Sequence, residues 1–154
     1  MTVEELKAAC DSVINNPALR PANGKTHCNA GALETAQAAD CHEFDVEEGA
    51  EPLIADEMYA IMAADESGRW EKVDGATATE HALAGGLGYA ALPSARLHEA
   101  HGHIATIYPT EMQMSGSLGK EVPVVANVGV TDAEEKESLA FPVAYGEPDY
   151  FIFS

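Results

Sequence analysis

Apolar side chains recur at three-to-four spacing at Val3, Leu6, Cys10, Val13 and Ile14, directly behind Thr2-x-x-Glu5. That order, a capping box followed by a helical stripe, predicts a first helix that Asn15-Asn16-Pro17 stops. Pro17 to Lys25, with Pro21 and Asn23-Gly24, reads as a loop. A second helix is expected to start around Thr26 to Cys28 and to run to about Ala39, with Ala32, Leu33 and Ala36 facing inward. Pro52 suits the first turn of a third helix, whose stripe is Ile54, Met58, Ile61 and Met62. This methionine-rich stripe reads as core. Asp65 to Gly68 breaks the pattern, and Thr77-x-x-Glu80 opens a short helix through Leu83 that ends at Gly85-Gly86.

After Gly88 the periodicity changes. Tyr89 to Leu92, His103 to Tyr108, Val122 to Val128 and Tyr150 to Phe153 read as strands. Loops are expected at 93–101, 110–121 and 129–137. Helices in the first half and strands in the second predict an α+β domain, with N-terminal helices packed on a C-terminal, mainly antiparallel sheet. No repeat or linker divides the chain, so residues 1–154 are expected to form a single domain.

Composition narrows the function. Eight Lys and Arg against 26 Asp and Glu give a formal charge of −18, which argues against nucleic acid as a partner because phosphate contacts need clustered cations. The 46% apolar content argues for a folded core. No apolar run approaches the roughly 18 residues of a membrane span, so no membrane partner is expected. Met1 to Ile14 lacks the basic start and apolar stretch of a secretory signal, so none is expected. The acidic run Glu43 to Glu51 fails as a calcium loop: counted from Asp45, the sixth position, which needs Gly, holds Ala50.

Three cysteines, Cys10, Cys28 and Cys41, are too few for a disulfide framework and form no CxxC pair. Cys10 belongs to the first helical stripe and reads as core. Cys28 lies instead in the polar stretch Lys25-Thr26-His27-Cys28-Asn29, at the expected start of a helix. There the unpaired N–H groups and the helix dipole favour a thiolate. Among His27, His42, His81, His98, His101 and His103, the stretch His101-Gly102-His103-Ile104-Ala105 stands out, because His103 opens an apolar strand that would hold its ring. His42 and His81 read as solvated side chains. A zinc site at His101 and His103 would need further ligands that only scattered Asp and Glu could supply, so neither metal nor other cofactor is expected. Asn127 interrupts an apolar strand, where an amide is out of place unless hydrogen-bonded, and it is the candidate third group that orients a histidine.

Thr26-His27-Cys28-Asn29 at a helix start, followed by Gly102-His103-Ile104-Ala105 on a strand, resembles the NlpC-type cell-wall cysteine peptidases of the papain-like superfamily. Leu53 to Met58, Ala82 to Leu92, Gly102 to Pro109, Val124 to Gly129 and Pro148 to Phe151 are similar to blocks of its phage-type lysins and interbacterial amidase effectors. The likeness spans roughly residues 24–154. It implies a papain-like fold with Cys28 as nucleophile, His103 as general base, and Asn127 at a third position that the family fills with His, Asn or Gln. His27 and Asn29 become candidates to help the Cys28 N–H bind the oxyanion. The implied activity is hydrolysis of an amide bond in the stem peptide of bacterial peptidoglycan. The implied partner is that stem peptide, with a cognate inhibitor if the chain is a toxin, and the expected state is a monomer. Its place of action would be the periplasm or cell wall. A chain without a leader would be made in the cytoplasm and released by phage lysis or dedicated secretion, or cut from a longer precursor.

Two other classes remain open. An acidic interaction or immunity-type protein would explain the charge. A papain-like amidase or acyltransferase acting on another substrate would share the same residues. Because stem peptides are acidic, the groove around Cys28 and His103 is expected to be less negative than the surface average, with Lys25 and Arg96 the nearest cations in sequence.

Overall fold

A computed structural model describes residues 1–154. Three helices come first: α1 (Val3–Asn15), α2 (Cys28–Ala38) and α3 (Ala55–Ala63). There follow β1 (Trp70–Val73), α4 (Gly75–Leu83), β2 (Gly88–Leu92), α5 (Ser94–Leu97) and β3 (His103–Ile107). The chain closes with β4 (Gln113–Ser115), β5 (Lys120–Val122), β6 (Val124–Asn127), β7 (Ala133–Lys136), α6 (Glu137–Ala140) and β8 (Asp149–Phe153). The main sheet has six strands in the order β1-β8-β2-β3-β6-β7, every pairing antiparallel, and β4 and β5 form a separate hairpin. The molecule is α+β, with helices on a mainly antiparallel sheet. No helix is long and apolar enough to cross a membrane.

Local chemistry explains most element ends. Thr2 and Glu5 cap each other's backbone N–H groups at the start of α1, as their spacing predicts. α4 begins earlier than expected, because Asp74, three residues before Thr77, accepts from the Thr77 N–H at 2.8 Å and is the true cap. α3 starts at Ala55, which leaves Pro52 outside the helix and Ile54 exposed at the cap position. Leu33 and Ile61 are half-buried, whereas Ala32, Ala36, Met58 and Met62 are core. The expected strand over 122–128 is two strands broken at Pro123, which has no N–H to give a ladder.

Several short elements occupy stretches expected to be loops. α5 lies within 93–101, β4 and the start of β5 within 110–121, and β7 with the start of α6 within 129–137. β1 and β7 are the two edges of the sheet, and their Glu-Lys and Glu-Glu-Lys centres have no alternating apolar face to reveal them. Charged edges are common because they discourage pairing between molecules.

One face of the sheet carries α1, α2 and α3. The Thr35 hydroxyl on α2 lies 2.8 Å from Thr106 Oγ1 and 3.1 Å from the Tyr89 hydroxyl, which itself donates to the Ala32 carbonyl at 2.7 Å. All of these groups are buried and every one is partnered, so this network fastens α2 to β2 and β3 in one register. Tyr59 on α3 meets Phe151 edge-on at 5.6 Å, and Tyr108 donates to Asp11 of α1 at 2.7 Å. Gly31 lets α2 approach the residue just after β6 closely: a Cβ there would lie 2.9 Å from Val128 Cγ2. The opposite face is covered near β3 and β6 by Phe141 and α6, tied to the β4–β5 hairpin through Ser138 and Ser115.

Candidate functional site

Cys28 is the first residue of α2, where its backbone N–H has no partner in the preceding turn. The polar neighbours in sequence suggest an open thiol, but the side chain is only 8% exposed because the start of α2 packs against β3. Burial pushes the thiol up from its ordinary range. The backbone N–H groups of Ile104, Asn29 and Cys28 oppose that shift by favouring the thiolate. The helix-terminal effect expected from sequence is therefore present and is outweighed by desolvation. Cys10 and Cys41 are fully buried, and all three cysteines are free thiols.

His103 opens β3 one residue before the Ile104 N–H that faces the sulfur. Its Nε2 and Asn127 Oδ1 are 2.7 Å apart. The amide's own bonds decide which atom donates. Asn127 Nδ2 gives one proton to the Thr131 carbonyl at 3.0 Å and the other to Glu135 Oε1 at 2.7 Å. Both are acceptors, so the amide oxygen must face His103, and Nε2 must carry the proton of the neutral ring. Nδ1 is left free to act as a base. Phe141 lies against the imidazole at 4.9 Å between ring centres. Burial lowers the His103 pKa below its ordinary value, while Asn127 and Glu99 work in the opposite direction.

The register explains how these groups meet. Ile107 pairs with Val125, and Val125 with Glu135, so strand alternation puts His103, Asn127 and Glu135 on one face. Ala133 stands directly across from Asn127 and is small, which leaves Glu135 room to reach diagonally. α2 lies on the other face, and Cys28 reaches the start of β3 from there. Two clefts result. One, of about 500 Å³, is lined by Lys25, His27, Cys28, Asn29, Glu51 and neighbours. The other, of about 600 Å³, contains His103, Asn127, Glu135 and Phe141. They adjoin at Thr26, His101 and Gly102, which line both.

The structure thus joins His103 to Asn127 and sets Cys28 on the residue after His103; no hydrogen bond links the thiol to the imidazole. Such bonds are often loose before substrate binds. His27 lines the Cys28 cleft and makes no side-chain cap bond. Asn29 donates its amide to the Leu53 carbonyl at 2.8 Å, fastening α2 to the segment before α3. Gly102 is confined between the Asp56 carboxylate and the Leu92 carbonyl, contacts no larger residue could keep. No three His, Cys, Asp or Glu side chains are grouped to hold a metal ion.

The groove around Cys28 and His103 stays acidic, but with a net charge of −2 over its 26 lining residues it is less negative than the chain average of −18 over 154. Glu51, Glu99 and Glu135 line the two clefts against one cation, Lys25, a ratio of 3 to 1 that matches the 26 to 8 of the whole chain. Arg96 sits elsewhere, 3.2 Å from Asp149 and bonded to the Glu147 carbonyl. Glu135 is the site residue that sequence reasoning missed. It lies in a charged edge strand eight positions from Asn127, and only the cross-strand diagonal reveals it. No family model matches the chain, and no curated protein does.

Proposed function

We propose that the chain is a papain-like cysteine amidase of the NlpC type that hydrolyses an amide bond in the stem peptide of bacterial peptidoglycan. The observation that supports this best is a cleft-lining thiol at a helix start, facing the N–H of the residue after an asparagine-oriented histidine. Cys28 and His103 are both neutral at rest, since burial raises one and lowers the other. The reaction then begins by general base catalysis. As Cys28 Sγ bonds to the substrate carbonyl carbon, its proton passes to His103 Nδ1. The new imidazolium is held by Asn127 Oδ1. The oxyanion meets the Cys28 N–H, with His27 the better second donor because Asn29 is engaged at Leu53. His103 returns the proton to the departing amine as the carbon–nitrogen bond breaks, leaving a thioester. Water, deprotonated by His103, then cleaves the thioester and restores the thiol.

Cys28→Ala tests this reading. It should abolish release of amino groups from purified peptidoglycan and leave the melting temperature within a few degrees of native. Unchanged release would overturn the proposal, and mass spectrometry of the digest would identify the bond. One observation favours a second substrate class for the same machinery: three carboxylates line the clefts and would repel an acidic stem peptide. A neutral or basic amide outcompeting peptidoglycan would select that reading.

A further inference from the structure

Given His103 as the base of the proposed reaction, we infer that Glu135 is a positioning residue that fixes Asn127, and through it the tautomer and basicity of His103. The bonds run in one direction, His103 Nε2–H to Asn127 Oδ1 at 2.7 Å and Asn127 Nδ2–H to Glu135 Oε1 at 2.7 Å. An amide flipped by 180° would set its NH₂ against the imidazole and its oxygen against a carboxylate. Glu135 makes that flip costly, because two acceptors would then face each other. The Thr131 carbonyl holds the amide's second proton and acts in the same sense.

Charge adds a second effect. A carboxylate at the far end of a hydrogen-bonded chain polarises the amide and strengthens its oxygen as an acceptor. It also stabilises a positive imidazolium at a distance. The other groups around His103 are Glu99, which also favours the imidazolium, His101 on the shared cleft wall, and the uncharged ring of Phe141. Glu135 has no ion-pair partner that would absorb its charge. Burial raises its own pKa and the Asn127 bond opposes the rise, so its charge fades at acid pH together with the neutral state of His103.

Nitrogen-detected NMR of the His103 ring, recorded against pH in the native chain, E135Q and E135A, tests this without requiring a known substrate. E135Q keeps an acceptor for Asn127 but removes the charge. The Nε2–H tautomer should persist in it, and the His103 midpoint should fall by about half a pH unit. E135A should lose the single tautomer as well. In turnover assays E135A should lose about tenfold in kcat with KM within twofold, and E135Q should recover most of that loss with its acid limb moved to lower pH. The proposal is overturned if the His103 midpoint and tautomer are the same in all three proteins. A lower melting temperature with an unchanged imidazole titration also overturns it, because that is a structural role alone. Should E135A fail to fold, the nearly isosteric E135Q decides. Absence of peptidoglycan cleavage by the native chain would count against the hydrolase reading and leave the NMR result on Glu135 standing.

Discussion

The thiol of Cys28 faces the backbone N–H of Ile104, so the start of α2 and the start of β3 meet at one residue beyond His103. Cys10 and Cys41 have no such opening and are fully buried. Iodoacetamide at neutral pH should therefore modify Cys28 well before the other two. Because burial raises the Cys28 pKa, the labelling rate should climb into the alkaline range, with no step below pH 6.5 of the kind a thiolate–imidazolium pair produces. In the proposed reaction the working base for kcat/KM is neutral His103, whose lowered pKa puts the acid limb below 6.5. Activity should rise with pH through that limb and then level. Mass-spectrometric labelling kinetics and a pH–rate profile check both limbs. A labelling step near pH 4 would show that the ion pair exists after all.

Asn127→Ala removes the only hydrogen-bond partner of the His103 ring. His103 remains, but its ring is free to turn and to take either tautomer. Activity should fall about 10- to 100-fold and not vanish, with KM little changed, since general base catalysis is weakened but not lost. Amine release by Asn127→Ala, compared with Cys28→Ala, separates a positioning role from an essential one. Native activity in Asn127→Ala would remove Asn127 from the site.

How far the site can be read from sequence depends on how local each signal is. Thr2 and Glu5 act within one turn, so α1 is legible. Asn127 is legible because an amide in an apolar strand needs a partner, although nothing local says which one. The environment of Cys28 is not legible. Its neighbours in sequence are polar, yet β3, some 75 positions away, buries it and reverses the pKa shift a helix start alone would give. Glu135 is hidden for a similar reason, since Ala133-Glu134-Glu135-Lys136 looks like solvated loop until β6 is laid beside it. β1 is lost in the same way, its Glu71 and Lys72 masking an edge strand that pairs with β8.

Gly102 offers a steric test of how the His101–His103 segment is held. A Cβ at this position would lie 2.5 Å from Asp56 Oδ1 and 3.0 Å from the Leu92 carbonyl. Asp56 cannot simply retreat, because it accepts from the Ser94 N–H and hydroxyl at the start of α5. Gly102→Ala should cost about 1–3 kcal/mol, lowering the melting temperature by about 2–4 °C per kcal/mol in a domain of this size. It should also reduce turnover by displacing His103. Gly116→Ala is the control, because a Cβ there meets nothing within 4 Å. Equal melting temperatures for the two variants would show that the Asp56 contact is soft.

Glu137 carries the most costly buried charge outside the site. It is 1% exposed, its Oε1 has no hydrogen-bond partner, and the nearby Tyr150 hydroxyl has none either. Burial raises its pKa to about 6, with Glu147 adding to the rise and Tyr150 and Lys120 opposing it. The folded chain therefore holds this proton more tightly than the unfolded chain, whose carboxyl titrates near 4.5. Between those two values the folded state binds more protons, so stability falls as pH rises through the window. Above pH 6 the penalty is complete, and the rise from 4.5 to about 6 corresponds to about 2 kcal/mol. Glu137→Gln keeps the side-chain shape without the charge. Its urea midpoint should match the native one at pH 4.5 and exceed it at pH 7.5. A variant no more stable than the native chain at pH 7.5 would mean that water or Tyr150 solvates the carboxylate, and that the orphaned oxygen carries no penalty.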